Sequence, residues 1–132
     1  MKTIRILLPF AIVLSLLFIG CGKYDEGPAI SLKTKKGRLA RTWKIEKYID
    51  SDGTTYTPTA NDNYTVTFSK DGVFTSTYGI FSIAGTWAFT SDKSGIITTV
   101  AGDSDTETIL RLTSKEFWSK DSDGDKTYFV AQ

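Results

Sequence analysis

A chain of 132 residues, 40% hydrophobic and 13% aromatic, suits a single domain with a packed core rather than disorder. It contains no histidine and one cysteine, which excludes Ser-His-Asp and Cys-His catalysis, imidazole metal sites and an internal disulfide. Its 16 basic and 15 acidic residues leave a formal net charge of +1, so general nucleic-acid binding, which leans on many basic contacts, is not expected.

Lys2 and Arg5 give a positive start, and Ile6 to Ile19 follows as an apolar run interrupted by Pro9 and Ser15. That run falls short of the roughly 20 apolar residues a membrane helix needs. A charged start, a short apolar middle and a small residue before a cut are the marks of a secretory signal, here residues 1–20. Leu17-Phe18-Ile19-Gly20-Cys21 resembles the lipobox of bacterial lipoproteins. Gly20 fits the small position before the cut and Ile19 is acceptable, while Phe18 departs from the usual leucine. The resemblance implies cleavage before Cys21, a diacylglycerol on its thiol and acylation of the new amino group. A lone exposed thiol would be a liability in an oxidising compartment, so lipidation is the expected role of Cys21. The membrane is then the first partner, since two or three acyl chains anchor far more firmly than one.

Residues 21–29 read as a tether. Gly22, Gly27 and Pro28 resist regular structure, and Lys23, Asp25 and Glu26 keep it solvated. The acidic pair resembles signals that send some Gram-negative lipoproteins to the outer face of the outer membrane; a plain polar spacer fits equally well. The expected location is the bacterial cell envelope, at the outer membrane, with either face open. Lys23 to Lys47 holds about 8 basic and 3 acidic residues, and Tyr48 onward about 6 and 12. Lys33, Lys35, Lys36 and Arg38 form a solvated charged face or, held near the membrane, meet anionic headgroups. Leu39-Ala40-Arg41 is expected to form a short helical turn before the first strand.

From Thr42 short β-rich runs alternate with turn residues. The period of two puts Trp43, Ile45 and Ile49 on one face. Thr54 to Asn63 is a loop or edge piece containing Pro58. Tyr64 to Phe68 and Val73 to Tyr78 are strands across the hairpin signal Lys70-Asp71-Gly72, with Phe74 and Tyr78 on one face. Ile80 to Ala84 extends a strand or caps one end, and Gly85 begins the second half. After Ile96 to Val100, Gly102 to Asp105 turns; Thr108, Leu110 and Leu112 then share a face opposite Glu107, Ile109 and Arg111. Phe117 to Lys120 and Thr127 to Ala131 finish the chain around the acidic turn Asp121 to Asp125. About eight strands joined by links too short for parallel crossovers make an all-β antiparallel meander.

Leu39-Ala40-Arg41-Thr42-Trp43-Lys44-Ile45 looks like the opening strand of lipocalin-like domains, with Arg41 where their Gly-x-Trp motif carries glycine. Gly85-Thr86-Trp87 carries that motif intact, and Phe68 to Gly72 fits the hairpin. From Ile30 to Gln132 the chain resembles small bacterial lipocalin-like lipoproteins, a group without an assigned function. The resemblance implies an eight-stranded up-and-down barrel over residues 30–132, closed because closure removes exposed edges. A β-sandwich is the alternative that the same alternation permits.

A barrel of this size is filled by side chains or holds one small ligand. Trp43, Tyr64, Phe74, Tyr78, Trp87 and Phe89 are the candidate ligand-contacting residues, although for each a core role is the safer reading. Asp121-Ser122-Asp123-Gly124-Asp125 superficially matches a calcium loop, but its glycine comes too early and Gln132 stands where a bidentate glutamate is needed. No residues point to a cofactor, a metal or an activated nucleophile, and no catalysis is expected. Two functions follow: an anchored carrier or sensor of a small apolar or amphipathic ligand, and a module with a filled core that binds an envelope protein or glycan.

Overall fold

The structure is a computed structural model that describes residues 33–132. The signal, Cys21, the tether, Ile30 and Leu32 lie outside the described residues. Helix α1 (Lys35–Leu39) is followed by nine strands. These are β1 (Thr42–Ile49), β2 (Thr55–Tyr56), β3 (Tyr64–Phe68), β4 (Val73–Tyr78), β5 (Phe81–Phe89), β6 (Gly95–Val100), β7 (Asp103–Leu112), β8 (Glu116–Lys120) and β9 (Lys126–Ala131). Each strand from β3 onward pairs antiparallel with the next, and β1 pairs with both β3 and β9. The β1–β9 ladder closes an eight-stranded barrel, which rules out the sandwich, and β2 is an added edge piece on the end of β1.

Meander topology sorts the connections onto two ends. One end gathers the β3–β4, β5–β6 and β7–β8 turns together with α1; the other gathers the β1–β2, β4–β5, β6–β7 and β8–β9 turns. The first is capped. Thr34 opens α1, its Oγ1 accepting from the Gly37 N–H at 3.0 Å, and Leu39 ends it fully buried. The indole N–H of Trp43 donates to the Leu39 carbonyl at 2.9 Å, so helix and first strand share one joint. The helix therefore lies earlier than the expected turn at Leu39 to Arg41. The basic residues around it close the barrel. Lys35 lies over the Phe89 ring and Lys36 over Trp87, and Arg38 donates to the Leu112 carbonyl. Arg41, in the motif's glycine position, donates to the Ser114 carbonyl and covers the Trp43 ring.

The core sits towards this capped end: Leu39, Trp43, Phe68, Trp87, Ile109, Leu112 and Phe117 are all buried. Edge-on ring pairs Phe68–Trp87 (5.5 Å) and Trp87–Phe89 (5.2 Å) and the stacked pair Phe117–Phe129 (5.0 Å) run across it. Such pairs contribute about 0.5–1.5 kcal/mol each beyond the area they bury.

Two β-bulges reset the inward face where strict alternation fails. In β1 the register against β9 shifts between Ile45 and Lys47. Trp43 and Ile45 face in; past the bulge it is Tyr48, opposite Thr127, that continues the inner face, and Ile49 turns outward opposite Lys126. In β7 the shift lies between Ile109 and Arg111. Glu107, Ile109 and Leu112 consequently share the inner face, and Arg111 points out beside Trp118. The expected grouping of Leu110 with Leu112 is corrected by that one extra residue.

Strand β5 takes the strand-extension course expected for Ile80 to Ala84 and runs through Gly85 rather than starting there. It begins at Phe81, four residues before Gly85, and pairs with β4 over Phe81–Thr86 but with β6 only over Thr86–Phe89. Where it leaves β6, a Cβ on Gly85 would stand 2.0 Å from the Thr99 carbonyl oxygen, so only glycine fits. Beyond that point β4 and β5 run on as a two-stranded flap. The β6–β7 turn is tighter than expected: Ala101 and Gly102 both take positive φ (53° and 90°) as a two-residue loop, and Asp103 and Asp105 stand in strand β7 rather than in a turn.

Candidate functional site

The uncapped end opens into the barrel. A partly enclosed cavity of about 140 Å³ lies inside the wall. Its sides are aromatic and aliphatic: Tyr64, Val66 and Phe68 from β3, Phe74 from β4, Phe117 from β8 and Phe129 from β9. Ile45, Ile96, Thr98 and Thr127 complete the lining with one acidic side chain, Glu107. These residues meet because each holds an inward position of its strand, and the bulge in β7 lets Glu107 and Leu112 face the same interior.

The polar atoms around the chamber are mostly spent. Ser76 donates to the Tyr64 hydroxyl at 3.1 Å. Tyr48 donates to Asp125 at 2.9 Å, and that bond above all raises its pKa. Glu107 is different. Burial raises its pKa first of all, Asp121 and Asp105 add to the rise, and the Ser119 hydroxyl opposes it. Ser119 itself is fully buried, and its Oγ has no partner at hydrogen-bonding geometry.

The six aromatic residues singled out in the sequence divide by height in the barrel. Tyr64 and Phe74 line the cavity. Tyr78 stands at the mouth, about half exposed, with its ring 6.0 Å from Tyr64. Trp43 and Trp87 are buried at the capped end, where Trp87 donates to the Ser69 carbonyl at 2.9 Å, and Phe89 packs beside Trp87 beneath Lys35. Sequence reasoning missed Glu107, whose only signal was a carboxylate at an alternating position in an otherwise polar-and-apolar strand. It also missed the flap, where Tyr78, Phe81 and Ile83 occupy inner-face register yet remain exposed (53%, 71% and 55%).

The mouth is acidic in its loops. Asp121 accepts the backbone N–H groups of Asp123 and Asp125, and Asp125 accepts from Ser51 and Tyr48. The calcium-like stretch thus spends Asp121 on holding its own turn and Asp125 on tying that turn to the end of β1. No group of three or more acidic, histidine or cysteine side chains placed to hold a metal ion occurs among the described residues. A wider depression of about 610 Å³ between the β7–β8 turn and the end of β9 is open surface, bordered by the Arg111–Glu116 ion pair.

No family model matches the chain, and no curated protein matches it. Solved structures do. A lipocalin-like protein from Bacteroides uniformis superposes with a TM-score of 0.63 at 19% identity, over 73% of this chain and 100% of its own. An uncharacterized protein from Bacteroides eggerthii gives 0.61 at 16% identity, over 71% and 99%. A protein from Burkholderia xenovorans gives 0.55 at 14% identity, over 80% and 94%. At such identities the likeness speaks for the backbone, and together with the closed β1–β9 seam it establishes that this chain folds as a small lipocalin-like barrel.

Proposed function

We propose that the protein is a lipid-anchored envelope lipoprotein whose non-catalytic barrel binds a small apolar or amphipathic ligand. The observation that carries the binding reading is the aromatic-walled cavity of about 140 Å³ beneath an open mouth. An engineered apolar cavity of about 150 Å³ takes up benzene, so the chamber suits one ring or a short branched chain. The rest of a larger ligand would lie between the strands of the mouth. Anchoring is supported by the lipobox-like Leu17 to Cys21 and by the chain's approach to the barrel at the capped end, through Lys33 and α1. An anchor there would turn the mouth away from the membrane.

Native mass spectrometry of the full chain against a panel of lipids, sterols and small aromatics tests the binding reading. One ligand per chain is expected, and Thr98→Phe, which puts a ring into the chamber, is expected to abolish it while near-ultraviolet circular dichroism stays native. Undiminished binding to the Thr98→Phe variant would place the ligand elsewhere. For the anchor, Cys21→Ser is expected to leave the membrane fraction; retention there would defeat the lipidation reading.

A second reading, an interaction module for an envelope protein or glycan, is favoured by the flap. Ile80 (93% exposed), Phe81 and Ile83 make an apolar surface beside the mouth. Ile80→Ser with Phe81→Ser is expected to remove partner capture under this reading and to leave small-ligand binding in the chamber intact.

A further inference from the structure

The inner face of β7 carries Asp103, Asp105 and Glu107 in line, opposite Val100, Thr98 and Ile96 of β6. Alternate residues of a strand lie about 6.6 Å apart, so the three carboxylates descend in even steps from the exposed mouth into the chamber. Farther round the same rim, beyond β6, the flap adds an apolar inner-face register with Tyr78, Phe81 and Ile83. One stretch of the rim is thus apolar and another anionic.

Inside, Glu107 lines the cavity among aromatic rings. Among the described residues no lysine or arginine forms an ion pair with it; Lys35, Lys36 and Arg38 sit at the opposite, capped end, and Lys120 and Lys126, which flank the mouth, hold outer-face register positions. Beside it, fully buried Ser119 holds its hydroxyl on the inner face close to the Glu107 carboxyl, without a well-formed hydrogen bond. A carboxylate drawn out of water with no counter-charge is a costly arrangement, as its raised pKa reflects, and a bound cation relieves it. Aromatic walls around a carboxylate are the recurring environment for ammonium groups, because ring faces attract cations.

We propose that the chamber takes a small organic cation, an alkyl- or aryl-ammonium whose apolar part fills the aromatic cavity and whose charged nitrogen meets Glu107. This rests on the ligand-binding reading and adds the sign of the ligand's charge. Asp103 and Asp105 act as a guide at the mouth, raising the local concentration of cations. Ser119 supplies a hydroxyl to the bound head or to the Glu107 carboxylate as it ionises.

Calorimetric titration of the full chain with benzylammonium, benzyl alcohol and benzoate tests it, since the three share a ring and differ in charge. Benzylammonium is expected to bind about tenfold or more tighter than benzyl alcohol, benzoate weakest, and Glu107→Gln should erase the preference while sparing the alcohol. Equal binding of all three, or a preference that survives in Glu107→Gln, overturns the cation proposal and leaves the ligand-binding reading standing. No binding of any of the three, and none from the wider panel above, overturns both. Should Glu107→Gln fail to fold, Asp105→Asn at the exposed mouth is expected to slow association of benzylammonium severalfold and leave benzyl alcohol unchanged. Equal slowing of both probes, or of neither, defeats the proposal.

Discussion

Glu107 shows how much a single position depends on its surroundings. Its carboxyl is driven above the ordinary value of 4.5, first by burial and then by Asp121 and Asp105, with Ser119 opposing. The folded barrel therefore holds this proton more tightly than the unfolded chain does. Between the ordinary value and the raised one, unfolding releases a proton, so the Glu107 contribution to stability is full at acid pH and is lost as pH rises through the folded pKa. Guanidinium midpoints measured at pH 4 and pH 7.5 are expected to show Glu107→Gln more stable than the parent at the higher pH, with the gap closing at the lower. A gap independent of pH would mean that Glu107 acts through packing alone. The large aromatics were legible in the sequence because burying a ring needs only an inward position. Their division into cavity wall and sealed core was not legible. It depends on height along the barrel axis, which is set by the cap over Trp43, Trp87 and Phe89.

At the scale of strands, sequence alternation located nearly every element and failed where a strand carries one residue too many. The bulges after Ile45 and Ile109 exchange inside for outside in the rest of β1 and β7, so Tyr48 replaces Ile49 and Leu112 joins Ile109. Neither site has a glycine or proline to announce it, because the partner strand and the curvature of the wall decide where the extra residue goes. The departure of β5 from β6 does carry a local sign, Gly85. Gly85→Ala would press its methyl group into the backbone of Thr99 and the Val100 side chain. Thermal unfolding is expected to show a loss of about 3 kcal/mol or more, since overpacking against backbone has no side chain to move aside. A neutral outcome would mean that the flap is free to swing away from the wall. Gly102, with no atoms near its would-be Cβ, lacks this crowding, so its cost on substitution is conformational only.

For the molecule as a whole, two asymmetries coincide. The uneven charge seen along the sequence becomes a polarity along the barrel axis. Lys35, Lys36, Arg38 and Arg41 gather around the cap, while Asp50, Asp103, Asp105, Asp121 and Asp125 surround the mouth. The basic run read in the sequence as a face for solvent or headgroups is in part the barrel's own plug. The second asymmetry is the seam: β1 and β9 pair along most of their lengths, and among the described residues no other ladder joins the first strand of the ring to the last. Removal of residues 126–132 is expected to abolish the cooperative transition and to promote association through the bared edges of β1 and β8, read by circular dichroism and size-exclusion chromatography. A truncated chain that still melts cooperatively as a monomer would show the remaining sheet to be self-sufficient. The seam also governs timing. On the ribosome β1 emerges well before its mate β9, so the ring stays unzipped until β9 has followed it.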